Sequence, residues 1–411
     1  MFARTLVAAS ALAALSGCAG APEATSSAKP DPTYAAPMAQ PAPPAPVVAA
    51  APPAPAAPAV RARIESVEKP NYVSIPMEIT VNKPAKDVWA RIGKYCDIGE
   101  WFQIATGCTI TAGKDGEFGA VRTVGSEILI GKTELSYGYT QPVRDGRPYN
   151  LYHGYLEARP INAKSTKLVY TLMYDNSLVP GDQAAKDAEI AGRRTRFEQG
   201  LANMKILAEG GKLPPPAAPA ARPAAPAAAP AAPAAAAPVR ARIESVEKPT
   251  YVSIPMEITI NKPQKDVWAS VGKYCDIGAW LQIPAGCQIT AGKDNEVGAV
   301  RTVGGEVLVG KTPYSYTYTQ AVRDGRAYNL YHGTLEARAV NAKTTKMVYT
   351  LMYDNSLVAG DQAAKDAEVA RRRTTFENAL KNMKIIAEGG TLPPPPPRPA
   401  AAPAAAPPAR Q

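Results

Sequence analysis

The sequence predicts an α+β protein made of two copies of one domain. Each copy is a curved antiparallel sheet closed by a long C-terminal helix, and the copies are joined by disordered Pro/Ala linkers. Three observations predict this. Residues 60–214 match residues 239–393 without a gap, and about 34 of those 155 positions differ. Each copy runs through short strand-like segments separated by turn signals and then changes to a helical period. The segments between and around the copies are almost entirely Ala and Pro, a composition that cannot bury a core. A repeat this long is a whole globular domain rather than a solenoid unit.

The first element of each copy is a strand. In Tyr72–Val81 the residues Val73, Ile75, Met77, Ile79 and Val81 share one face, with Ser74, Glu78 and Thr80 on the other. Pro76 cannot donate to a ladder, which assigns part of this strand to an edge or a bulge. Asn82-Lys83-Pro84 opens a helix, with Asn82 as its cap and Pro84 in its first turn. Val88, Trp89 and Ile92 form the inward stripe. Asp97–Phe102 reads as a second short helix carrying Trp101. Six strand-like runs follow: Cys108–Ala112, Ala120–Val124, Glu127–Gly131, Leu135–Pro142, Tyr149–Arg159 and Lys167–Tyr174. Turn signals between them, such as Lys114-Asp115-Gly116 and Arg144-Asp145-Gly146, imply an antiparallel meander. From Asp182 to Glu209, Ile190, Phe197, Leu201, Met204 and Ala208 set one apolar stripe; Gly210-Gly211 and Pro214 end it. The second copy keeps the stripe with Val369, Phe376, Leu380, Met383 and Ile386.

That order is the helix-grip fold. Pro84-x-x-x-Val88-Trp89, then Trp101, then Gly119-Ala120-Val121-Arg122-Thr123 resemble the polyketide cyclase/dehydrase and lipid-transport superfamily, the START-like or Bet v 1-like (SRPBCC) group. The resemblance covers each copy from about Tyr72 to Gly211. It implies a deep cavity between sheet and long helix for a lipid or another hydrophobic small molecule. Candidate cavity residues are Trp101, Arg122, Tyr137, Tyr139, Tyr152, His153 and Tyr170 in the first copy. Their counterparts are Trp280, Arg301, Tyr316, Tyr318, Tyr331, His332 and Tyr349. Tyr155 and Tyr174 join the tyrosine walls; the alternative for the tyrosines is half-exposed strand positions or a filled core. Arg122 either clamps a ligand anion or pairs with Glu127 or Asp145. His153 and His332 are the two histidines of the chain; they are structural, line the cavity, or act as acid/base.

The first eighteen residues, MFARTLVAASALAALSGC, form a processing segment. Arg4, the apolar Leu6–Leu15 stretch and Leu15-Ser16-Gly17-Cys18 resemble the bacterial lipobox, in which Cys18 takes lipid. No Asp follows Cys18, so the resemblance to Gram-negative lipoproteins implies an outer-membrane lipoprotein facing the periplasm. An exported chain meets an oxidising compartment, and the remaining cysteines fall two per copy. The expected disulfides are Cys96–Cys108 and Cys275–Cys287, each stabilising by about 3 kcal/mol. A zinc site is a poor alternative because no His lies nearby, and Cys-x-x-Cys does not occur.

The expected layout is a signal peptide at 1–18, a tether at 19–59, the first domain at 60–213, a linker at 214–238, the second domain at 239–392 and a tail at 393–411. The tether could reach on the order of 120 Å in polyproline II geometry. The net charge of +10 is spread thinly along the chain, which argues against nucleic-acid binding. Arg193, Arg194 and Arg196 could contact an anionic lipid or cell-wall polymer, or form a solvated face balanced by Asp187, Glu189 and Glu198. No phosphate loop, metal-ligand cluster or paired carboxylates stand out, so no cofactor, metal or catalytic residue is expected. The leading reading is a binding or carrier module for a hydrophobic small molecule or lipid. The alternatives are a cyclase/dehydratase-like enzyme using His153 or Tyr139 with Arg122, and a structural envelope protein with filled cores.

Overall fold

The computed structural model describes residues 69–142, 151–216, 248–321 and 330–395, together with the backbone of Arg63–Glu65 and Arg242–Glu244. The expectations for the signal peptide, Cys18, the tether, most of the linker and tail, and the Arg144-Asp145-Gly146 turn concern residues outside these.

The first repeat contains β1 (Arg63–Glu65), β2 (Tyr72–Val81), α1 (Ala85–Ile92), α2 (Ile98–Trp101), β3 (Ile110–Ala112) and β4 (Val121–Arg122). It continues with β5 (Ile128–Thr133), β6 (Ser136–Thr140), β7 (Tyr152–Asn162), β8 (Ser165–Asp175) and α3 (Gln183–Ala208). The second repeat repeats the order. Its elements are β9 (Arg242–Glu244), β10 (Tyr251–Ile260), α4 (Gln264–Val271), α5 (Ile277–Trp280), β11 (Ile289–Ala291), β12 (Val300–Arg301), β13 (Glu306–Thr312), β14 (Ser315–Gln320), β15 (Tyr331–Asn341), β16 (Thr344–Asp354) and α6 (Gln362–Ala387). Each repeat is a helix grip. Its seven-stranded antiparallel sheet has the order β2-β8-β7-β6-β5-β4-β3, or β10-β16-β15-β14-β13-β12-β11.

β2 lies at the sheet edge, pairing with β8 alone. Pro76 is therefore tolerated there, and its carbonyl accepts from Arg194 of α3. Asn82 does not cap α1. Pro84 occupies the cap position without a side-chain hydrogen bond, and the Asn82 backbone N–H donates instead to Glu209 at the end of α3. Asp182 caps α3 by accepting from the Ala185 N–H, and Gly210, at φ +89°, ends it. Both disulfides are formed, Cys96–Cys108 and Cys275–Cys287, and each brackets the short helix carrying Trp101 or Trp280.

Helix α3 lays Phe197, Leu201, Met204 and Leu207 on the inner face of its sheet, against residues such as Leu129, Leu156, Leu168 and Leu172. The opposite, outer face also carries a buried apolar cluster. Ile128, Ile130, Leu151 and Met173 alternate with the inner residues and meet Val307, Val309, Leu330 and Met352 of the second repeat in one shared cluster. The repeats are thus not separate beads; they pack sheet to sheet, in the order helix, sheet, sheet, helix. β1 and β9 add a two-stranded antiparallel ribbon between them.

The contact is only approximately symmetric. Tyr155 of β7 lies over Gly138 of its own sheet and Gly310 of the other; a Cβ on Gly310 would lie 2.2 Å from the Tyr155 ring. The matching positions of the second repeat are Thr317 and Thr334, whose hydroxyls bond each other at 3.0 Å and pack on Gly131. Gly138/Tyr155 and Thr317/Thr334 are therefore paired solutions to one packing problem. Between them His153 and His332 face each other, Nε2 to Nε2 at 3.2 Å, both buried. Only one of these nitrogens can carry the shared proton, so the two rings adopt different tautomers. Burial pushes His153 down to about 3, and burial together with His153 pushes His332 well below its ordinary value.

Gly310→Ala should force the sheets apart and lower the unfolding midpoint, at a cost of about 1–3 kcal/mol. Tyr155→Thr added to it should recover most of the loss in urea unfolding. The histidine pair gives a pH prediction. An unfolded His binds its proton near 6.5, whereas folded His153 stays neutral down to about 3 and His332 is held well below its ordinary value. The unfolded state then binds more protons across that window, so stability falls as pH drops from about 6.5 towards 3. His153→Gln with His332→Gln should flatten this fall by up to about 1.4 kcal/mol per pH unit for each histidine, read from denaturation at several pH values.

Candidate functional site

The inner space of each repeat is built around one arginine. Strand β4 is only two residues long and turns back through Glu127, which places Arg122 and Glu127 side by side. Arg122 is fully buried. Its Nε donates to Glu127 at 2.8 Å, Nη2 donates to the same carboxylate, and Nη1 donates to the Tyr95 carbonyl. Its guanidinium lies 4.2 Å from the Tyr95 ring and 4.7 Å from the Tyr139 ring. Burial opposes the charge, but Glu127 and the tyrosines around it leave the Arg122 pKa well raised. Burial raises the Glu127 carboxyl against the pull of Arg122. The second repeat builds the same centre from Arg301, Glu306, Tyr274 and Tyr318.

Trp101, Tyr137, Tyr139, Tyr152 and Tyr170 all reach this inner face, as do Trp280, Tyr316, Tyr318, Tyr331 and Tyr349 in the second repeat. Most of them fill space. The Tyr139 and Tyr170 hydroxyls bond each other at 2.7 Å, and Tyr318 and Tyr349 at 2.6 Å. Trp101 is completely covered, packed on Phe102 and Tyr170. His153 and His332 do not line this space. They lie on the outer face between the repeats, as does Tyr155, because strand alternation sends odd positions of β7 away from α3. Arg122 is likewise no free anion clamp, since its donors are committed inside the protein.

Two clefts of the first repeat remain open beside this plug. One, about 490 Å³, lies between α3 and the sheet. Its walls are Tyr139, Tyr152, Phe102 and Phe197, with Glu127, Gln141, Glu189, Arg193 and Arg196 as its polar groups. Glu189 is bonded to Arg193 and to the Tyr174 hydroxyl. The other, about 480 Å³, lies beyond the arginine and is lined by Trp89, Tyr95, Asp115, Lys132 and Tyr137. The Tyr95 hydroxyl, buried at its edge, has no hydrogen-bond partner among the described residues. Among the described residues no group of three or more His, Cys, Asp or Glu is placed to hold a metal.

The sequence reading missed the rim. Phe102 packs edge-on to Phe197 at 5.1 Å, and the Arg196 guanidinium lies 5.2 Å above the Phe102 ring. Phe102 fits only because residue 200 is glycine, where a Cβ would come within 2.7 Å of its ring. Glycine inside a helix costs about 0.5–1 kcal/mol against alanine. The second repeat has Leu281 and Ala379 at these places, so the difference between the copies was the available signal. Of the arginine cluster, Arg193 pairs with Glu189 and Arg194 with Glu198, while Arg196 makes no ion pair among the described residues.

Compared with family models and with curated proteins, the chain finds no match. Solved structures do resemble it. The di-domain aromatase/cyclase BexL from the BE-7585A biosynthetic pathway is 16% identical over 78% of this chain and 100% of its own, with a TM-score of 0.27. The di-domain aromatase/cyclase StfQ from the steffimycin pathway is 14% identical over 76% of this chain and 98% of its own, at 0.26. Ara h 8.0201 matches 34% of this chain over 100% of its own at 15% identity and 0.27. At these scores the likeness does not bear on what the chain binds.

Arg122→Met should cost about 3–5 kcal/mol in urea unfolding, because it leaves Glu127 buried without its cation. Arg122→Met combined with Glu127→Met should cost markedly less than the single change, the coupling expected of a structural pair.

Proposed function

We propose that the chain is a non-enzymatic binding or carrier protein whose repeats hold a hydrophobic, amphipathic small molecule or lipid in the cleft between long helix and sheet. The observation that carries this reading is the 490 Å³ cleft, walled by tyrosine and phenylalanine rings and edged by charged groups. The resemblance stated from the sequence points to the same class of ligand.

The cyclase/dehydratase reading loses its parts. His153 is buried against His332, Tyr139 is bonded to Tyr170, and Arg122 is held by Glu127. Burial and the nearby Glu127 charge also keep the Tyr139 hydroxyl far above the range of a useful acid/base. The structural reading keeps one supporting observation, the plugged centre of each repeat. We further propose that Cys18 carries the lipid anchor and holds the domains on the periplasmic side of the outer membrane.

Native mass spectrometry tests these together. A Cys18→Ala chain purified from the periplasm should carry an apolar adduct, one or two per chain. Membrane-extracted wild type should add the mass of acyl chains on Cys18. A Cys18→Ala chain that is empty and takes up nothing from a lipid panel favours the structural reading. Wild type without acyl mass removes the anchor.

A further inference from the structure

The two repeats share the inner walls of the helix–sheet cleft and differ at its rim. Glu127, Tyr139 and Tyr152 correspond to Glu306, Tyr318 and Tyr331, whereas Phe102 and Arg196 correspond to Leu281 and Thr375. We propose that the first repeat selects a planar aromatic anion, packed against Phe102 with its acid group on Arg196, and that the second repeat does not. This rests on the carrier reading above and names the ligand class of one of its two sites.

The charges at the cleft point this way. Glu127 is bonded to Arg122 and Gln141, and Glu189 to Arg193 and Tyr174, so both carboxylates already have partners. Arg196 makes no hydrogen bond or ion pair among the described residues; it feels the Glu127 charge only at longer range, rests on the Phe102 ring and is exposed at the mouth. A guanidinium whose face rests on a ring keeps its N–H edge free for a two-point hold on a carboxylate or sulfonate. The ring beneath it supplies the apolar surface for an aromatic body. Phe102 is seated by the loss of a side chain at Gly200.

The second repeat lacks each part. Leu281 offers no ring. The Thr375 hydroxyl donates back to the Arg371 carbonyl of its own helix at 3.0 Å. Arg371, standing where the first repeat has Gly192, is drawn to Glu368 at 3.4 Å and does not substitute for Arg196.

The test uses the full soluble chain with Cys18→Ala and two probes of one shape: 1-anilinonaphthalene-8-sulfonate, and its uncharged parent N-phenyl-1-naphthylamine. Fluorescence titration and calorimetry should find one tight site per chain for the anion. Arg196→Thr should weaken the anion about tenfold and leave the neutral amine within about twofold. Phe102→Leu with Gly200→Ala, which copies the second repeat and so should fold, should weaken both probes. Leu281→Phe, Ala379→Gly and Thr375→Arg together should create a second anion site. Two equivalent anion sites in the unaltered chain, or an Arg196→Thr chain that binds the anion as before, overturns the proposal. Binding of the amine without preference for the anion overturns it while sparing the carrier reading. Binding of neither probe overturns both.

Discussion

A guanidinium that water does not reach sits at the centre of each repeat, and much of the inner architecture answers to it. Such a group is tolerated only with its donors satisfied and a counter-charge in contact. Glu127 supplies the charge, the Tyr95 carbonyl takes a further donor, and tyrosine rings cover the faces. Tyr95 is placed by the chain leaving α1, and Glu127 by the turn after β4. The arginine thereby ties the helical segment bracketed by the disulfide to the far strands of the sheet. Residues that touch it also wall both clefts: Tyr139 and Glu127 the one beneath α3, Tyr95 and Tyr137 the one beside α1.

The second constraint is that both faces of the middle strands are dry. A sheet covered on one face has an exposed side; here β5 and β7 have none along much of their length, and β8 has none from Leu172 to Asp175. The inner residues go to the long helix and the outer ones to the other repeat. Near-identity of the copies makes this contact possible, since like surfaces meet across an approximate twofold. The exchange of Gly138 and Tyr155 for Thr317 and Thr334 keeps the contact complementary on both sides, Tyr155 lying on Gly310 and the two threonines on Gly131.

The elements themselves were legible in the sequence because they rest on periodicity. The alternation of Tyr72–Val81, the Val88/Ile92 stripe, the Phe197/Leu201/Met204 stripe and the cysteine spacing all carried through to the structure. Most cavity candidates reached the inner face for the same reason. What periodicity does not encode is which apolar face meets which partner. Tyr-His-Gly-Tyr-Leu-Glu-Ala is buried on both sides although its second face is His153, Tyr155 and Glu157, and read as a single-domain strand it sent His153 to the wrong face. The Asn82 cap failed because α1 begins only at Ala85, which puts Pro84 rather than Asn82 at the cap position. The rim of the cleft was recorded only in the differences between the copies, at positions 102, 196 and 200.

The layer order helix, sheet, sheet, helix has a consequence for communication. The space under α3 and the space under α6 open on opposite sides of the sandwich, so the molecule is two-headed and a small occupant of one head cannot touch the other. Any signal between them has to cross the common middle, where Tyr155 lies on Gly310 and two imidazoles share one proton. That proton can sit on either ring, and each choice gives the paired sheets a different hydrogen-bonding sense. The duplicated domains are in this respect closer to the two subunits of a dimer than to two beads on a string.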